Sequence, residues 1–105
     1  MAKVLYLVWT KVNTEKEQEW EKYIDTVHIP EMIDTKKFIS ARRCKVVEGD
    51  SPGKYLTIYE CENEELLNSY LHNDADRLRK DHVDHFGSHA SSSRIILEES
   101  FSRSK

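Results

Sequence analysis

An α+β fold of order β-α-β-β-α-β is what this sequence predicts, on three observations. Four runs at residues 4–12, 38–47, 54–62 and 94–101 are rich in apolar, β-branched and aromatic side chains at strand length. Two longer stretches, 14–28 and 64–86, space their apolar residues three and four apart, as helices with one buried face do. One loop dense in turn formers, Glu48-Gly49-Asp50-Ser51-Pro52-Gly53, joins the second and third runs and makes them antiparallel neighbours.

The first strand is apolar on both faces, with Leu5, Leu7 and Trp9 on one and Val4, Tyr6 and Val8 on the other. The first helix opens on Thr14-Glu15-Lys16-Glu17, a capping-box pattern, and buries Trp20, Tyr23, Ile24 and Val27. Pro30 is expected to end it near His28, because a proline pushes the residue before it out of the α region. A short turn from Pro30 through Ile33 follows. In the third strand Tyr55, Thr57, Tyr59 and Cys61 share a face, opposite Leu56 and Ile58. The second helix starts behind Asn63, a good cap, is interrupted at Asn73-Asp74, resumes through Leu78, His82 and Phe86, and stops at Gly87. Residues 88–93 read as a polar linker, and 102–105 as a tail beyond a domain ordered over about 3–101. The whole is one domain, 1–105, in the split-βαβ, ferredoxin-like arrangement: a four-stranded antiparallel sheet with two helices on one face.

Two helices cover only one face of such a sheet. A first strand apolar on both sides therefore calls for a second cover, and the simplest is the same face of another copy. A homodimer joined through its sheet faces is the expectation.

Composition narrows the function classes. The net charge is −3, and the densest basic run, Arg77-Leu78-Arg79-Lys80, is surrounded by Asp74, Asp76, Asp81 and Asp84, so no nucleic-acid partner is expected. The apolar run near the N-terminus is six residues, too short for a span and without a cleavage signature, so no membrane is expected and the cytoplasm is the expected location. Two cysteines, Cys44 and Cys61, make no disulfide framework, and Cys44 reads as a buried small apolar residue. Phosphate-loop, dinucleotide-loop and serine-nucleophile motifs are missing. His82, His85 and His89 invite a metal reading, but Gly87 breaks the helix before the third, so no metal and no cofactor is expected.

The chemistry concentrates at the end of the first helix. His28 is titratable near neutral pH, and Glu31 stands close enough in sequence to orient it. The alternative role for His28 is to cap the helix C-terminus. Tyr6, Trp9, Trp20 and Tyr59 are candidate walls of a pocket between sheet and helices, and His82 shares a helix face with Leu78 and Phe86 that points toward it.

The residues H-I-P-E at 28–31, F-I-S-A-R-R at 38–43 and K-Y-L-T-I-Y-E at 54–60 make the chain resemble the dimeric α/β-barrel superfamily, and within it the small EthD-like proteins, over residues 4–100. That resemblance implies a cofactor-independent enzyme of cyclase, isomerase or monooxygenase type, acting on a small hydrophobic, aromatic or polyketide-like molecule. It equally accommodates a non-catalytic ligand-binding or stress-related dimer. The cyclase-like members resemble this chain in a tyrosine on helix two, here Tyr70, which joins the substrate-binding candidates. Their histidine has no counterpart in register, since His72 is too close and Asp76 stands further on. The quinone-forming monooxygenases pair a histidine with a tryptophan and an asparagine; Trp9 is present, but the first asparagine is Asn13.

Overall fold

The structure is a computed structural model that describes residues 2–105. β1 (Val4–Val12), β2 (Ser40–Lys45), β3 (Tyr55–Cys61) and β4 (Ala90–Glu98) form one antiparallel sheet in the order β2-β3-β1-β4. α1 (Glu17–Tyr23), α2 (Ile29–Asp34), α3 (Glu64–Asn73) and α4 (Ala75–Phe86) all deliver buried side chains to the face that carries Tyr6 and Tyr59. The α+β class, the element order and the one-sided helices match the expectation.

That inner face has two centres. One gathers Val4, Tyr6, Tyr59 and Cys61 with Met32 of α2, Leu67 and Tyr70 of α3 and Leu78 of α4. The other gathers Tyr55 with Trp20 and Tyr23 of α1, Ile24 and Phe86. Met32, Leu67 and Leu78 are almost wholly removed from water, each contributing roughly 1.5–3 kcal/mol of transfer free energy. The β2–β3 loop folds tightly onto β1: Lys54 donates its backbone N–H to the Thr10 carbonyl at 3.1 Å. A Cβ on Gly53 would lie 2.6 Å from that same oxygen, so only glycine fits there.

The helix expected to end at His28 continues. Residues Ile24–His28 form a π-helical turn between α1 and α2, in which the Ile29 N–H reaches back to the Ile24 carbonyl. His28 keeps α geometry (φ −68°, ψ −51°) although Pro30 is two residues on, and Pro30 enters at the start of α2, where a missing N–H is harmless. The widened hydrogen-bond register absorbs the proline that would break a regular helix. The true stop is Lys36, at φ 68°, with its N–H on the Ile33 carbonyl at 3.0 Å.

Three smaller expectations are also corrected. The capping box does not close: Glu17 instead accepts from Tyr55 Oη at 2.5 Å and from Lys54 Nζ at 2.9 Å, tying α1 to β3. The stretch read as a linker is strand from Ala90, because Ser91, Ser92 and Ser93 pair with Lys11, Thr10 and Trp9 on an edge that tolerates polar side chains. Cys44 is exposed; Cys61 is the buried cysteine. The expected cap and stop of the second helical stretch do form: Asn63 Oδ1 accepts from the Leu66 N–H at 2.9 Å, and Gly87 closes α4 at φ 53°.

Among the described residues, no helix lies over the outer face. Leu7 pairs with Ile58 and Ile95, Leu5 with Leu97, and Trp9 with Leu56, giving an apolar patch bordered by Glu60 beside Leu5, Arg42 beside Ile58 and Ser93 beside Trp9. Ile95 and Leu97 are 46% and 41% exposed. Among the described residues, no helix is long and apolar enough to cross a membrane.

Candidate functional site

A cavity lies between the inner face and the helices, floored by β1, β3 and β4 and roofed by the π turn, α3 and α4. Strand alternation sends Tyr6, Val8 and Thr10 of β1 and Thr57 and Tyr59 of β3 into it. His28 reaches it from the end of the π turn, Tyr70 from α3, and Arg79 and His82 from one face of α4, three residues apart. The cavity is small and partly open, about 30 Å³, where roughly 10–15 Å³ is enough for one water molecule, so it has room for a small polar group.

One half of the cavity is an imidazole pair. The rings of His28 and His82 lie 6.1 Å apart, and Tyr23 stands about equally far from both, at 6.1 and 6.2 Å. Trp20 Nε1–H donates to His82 Nε2 at 3.0 Å, so the neutral His82 ring carries its proton on Nδ1. His28 Nδ1 is buried and has no partner among the described residues. Burial, and then the positive fields of His82 and Arg94, push the His28 pKa down to about 4. Burial and Arg94 also lower that of His82. Both rings are neutral at physiological pH.

The other half is a set of hydrogen-bond donors. Arg79 Nη2 donates to Tyr6 Oη at 2.8 Å, while its Nε is buried without an acceptor. Burial opposes the Arg79 charge, but the bond to Tyr6 and the fields of Tyr6, Tyr70 and Asp76 outweigh it. Burial raises the phenols of Tyr59 and Tyr70 far above the ordinary tyrosine range, so both stay protonated. Arg94 and Ser92 complete the rim on β4, and among the described residues no carboxylate lines the cavity.

Of the residues singled out from sequence, His28, Tyr6, Tyr59, Tyr70 and His82 meet here. Three do not line it. Trp9 has the opposite strand parity to Tyr6 and lies on the outer face, paired with Leu56. Trp20 is buried behind the wall and acts on the cavity only through His82. Glu31 makes no hydrogen bond to His28, whose Nδ1 stays unpartnered; with the helix unbroken it is carried on past the ring, where its field helps raise the Tyr23 hydroxyl to about 12, after burial. Arg79, Arg94, Thr10, Thr57 and Ser92 were not anticipated. Arg79 had a usable signal, its three-residue spacing from His82 on one helix.

A family model described as a domain of unknown function, DUF4286, matches residues 3–100. No curated protein matches the chain. Among solved structures the chain is similar to an EthD-family protein from Bacillus halodurans, at 17% identity and TM-score 0.69 over 94% of this chain and 99% of that one. It is similar to a protein proposed to be a monooxygenase from Shewanella loihica, at 12% identity and TM-score 0.63 over 97% and 99%. A third is a dimeric ferredoxin-like protein from an uncultured marine organism, at 11% identity and TM-score 0.70 over 98% and 100%. These likenesses make the fold ferredoxin-like and EthD-like; at such identities they carry the fold and not the chemistry.

Proposed function

We propose that this chain, which belongs to the DUF4286 family of domains of unknown function, is a homodimeric, cofactor-independent enzyme that removes a proton from a small aromatic or polyketide-like molecule. The observation that carries the reading is His28: a neutral imidazole whose Nδ1 is buried at the cavity with nothing bound to it. Buried and beside positive groups, this ring is by itself a weak base. A substrate that develops negative charge beside it raises its proton affinity as the proton moves, and the Tyr6, Tyr59 and Tyr70 hydroxyls stand ready to bond the resulting enolate oxygen. Proton removal is the common first step of cyclisation, isomerisation and cofactor-free oxygenation, so one base serves all three.

Dimerisation rests on the outer face. Leu5, Leu7, Trp9, Leu56, Ile58, Ile95 and Leu97 form an apolar sheet surface with no cover of its own, and a ferredoxin-like relative is described as dimeric. A stable sheet-to-sheet contact of ordinary size buries about 1,600 Å² in total.

One observation favours a second reading, a non-catalytic ligand-binding dimer: the cavity of about 30 Å³ does not admit an aromatic ring without opening. Deuterium exchange separates the two. Incubating enolisable aromatic ketones and cyclic 1,3-diketones with the protein in D₂O reports proton removal whatever the later chemistry. The enzyme reading expects exchange above the buffer rate and a loss of about 10²–10⁴-fold in His28→Ala, with melting little changed. Exchange at the wild-type rate in that variant would falsify His28 as the base.

A further inference from the structure

We infer that Arg79 and Arg94 form an anion subsite, and that the ligand is an organic acid whose head enters the cavity while its apolar body lies along the uncovered inner face of β4. The inference rests on this cavity being the ligand site, as in the function proposed above.

The argument starts from unmatched charge. Arg43 is held by both oxygens of Asp25 at 2.9 Å, and Arg77 by Asp74 at 3.1 Å. Arg79 and Arg94 have no such partner among the described residues. Asp76 acts on Arg79 only through space, and no carboxylate among the described residues lines the cavity wall. A buried N–H of a charged group left without an acceptor is expensive, and the Arg79 Nε is such a group. An acceptor supplied by a ligand satisfies it. The two guanidinium groups come from different elements, α4 and β4, onto one cavity, with Tyr6 Oη bonded to the first. Carboxylate oxygens fit that geometry, because guanidinium groups bond them through paired, charge-assisted contacts. Burial lowers the proton affinity of both histidines, and the field of Arg94 lowers it further.

Size fixes the rest of the ligand. A volume of about 30 Å³ accepts a head group and no ring or chain. Ile96, which pairs with Tyr6 on the inner face, is 51% exposed. Beside it, Val4, Leu67 and Ile96, together with Ala2, Asn68, Glu64 and Glu98, line a groove of about 410 Å³, within the range that holds a small organic molecule; its two carboxylates leave the acid head to the arginines and only the apolar body to the groove. A head at Arg94 and a body over Ile96, two residues further along the strand, follow from the pleat.

The test uses octanoate, its neutral isostere octanamide, and acetate, titrated by calorimetry into the full chain at fixed ionic strength. The expected result is octanoate binding at least about tenfold more tightly than octanamide, with acetate weaker than octanoate. Arg79→Gln and Arg94→Gln should each bring the acid-to-amide ratio near one, while Arg77→Gln leaves it unchanged. Arg94 is exposed, so its variant keeps the test sound if Arg79→Gln misfolds. Equal affinity for acid and amide, a preference that survives both substitutions, or no binding of either probe overturns the subsite. An acid preference without any proton exchange sinks the enzyme reading alone, and exchange without the preference sinks only this one.

Discussion

The two faces of the sheet invert the usual arrangement of an antiparallel sheet. The inner face, under the helices, carries hydroxyls: Tyr6, Tyr55, Tyr59, Thr10 and Thr57 are all 3% exposed or less. The outer face is apolar at its centre, with Arg42 and Glu60 beside it, yet Leu5, Trp9, Leu56 and Ile58 remain half-buried and Ile95 and Leu97 exposed. Ordinarily the covered face is the oily one and the open face the polar one. The difference teaches that the two faces serve different ends. A buried face furnished with polar tips and neutral imidazoles suits chemistry, and an open apolar face suits association.

The largest effect expected is on the inner face. Tyr59→Ala removes a ring packed against Tyr6 and Phe38 and should lower unfolding free energy by about 3–5 kcal/mol, as other buried aromatic truncations do. Denaturant titration checks it. A cost below about 1 kcal/mol would mean that the inner face is loosely filled and the contrast between faces overstated.

Acid titration is next in size. The His28 pKa is about 4 in the fold and 6.5 in its absence, so between those values the unfolded chain binds more protons. The stability contributed by keeping this ring neutral is therefore complete above pH 6.5 and declines as pH falls toward 4, by up to about 3 kcal/mol. His82, shifted the same way, adds to the decline. Melting temperature followed from pH 7 to 4 should show it, and His28→Gln should flatten the curve. An equally steep curve in that variant assigns the acid sensitivity elsewhere.

The smallest change in folding stability is expected on the outer face, where it is decisive for assembly. Ile95→Asp sits on an edge strand in water and should shift protomer stability by no more than about 0.5 kcal/mol. In sedimentation the same change should turn a dimer into a monomer. Wild-type protein that sediments as a monomer at micromolar concentration removes the associative role of this face.

Much of the fold was readable because its signals were local. Strand alternation, the Asn63 cap, the Gly87 stop and the turn cluster before Lys54 each act within a few residues. The errors arose where tertiary context overrode a local rule. Pro30 ought to end a helix, but a π turn accommodates it. Glu17 ought to cap its own helix, but Tyr55 and Lys54 lie closer to hand. Three serines look like a linker, but on an edge strand their backbones pair with β1 all the same. For the site, aromatic and histidine side chains drew attention by type. Arg79 and Arg94 did not, because one sits in a mixed-charge run and the other follows the serines, and nothing local distinguishes an arginine facing a cavity from one facing solvent.

The π turn at Ile24–His28 has a consequence for how this helix tolerates change in length. On a regular helix Trp20 and Met32, twelve residues apart, would point about 120° away from each other. Here both are 1% exposed against the same sheet face, and the wider turn supplies the missing rotation. Asp25, Thr26 and Val27, inside that turn, are exposed. Thr26 and Val27 are therefore almost free to vary, whereas Asp25 is not, since both its oxygens hold Arg43. Their number can fall by one: deleting one residue closes the turn to a regular α register, which leaves Trp20 and Met32 eleven residues apart and about 20° out of line, so Met32 keeps its place in the core.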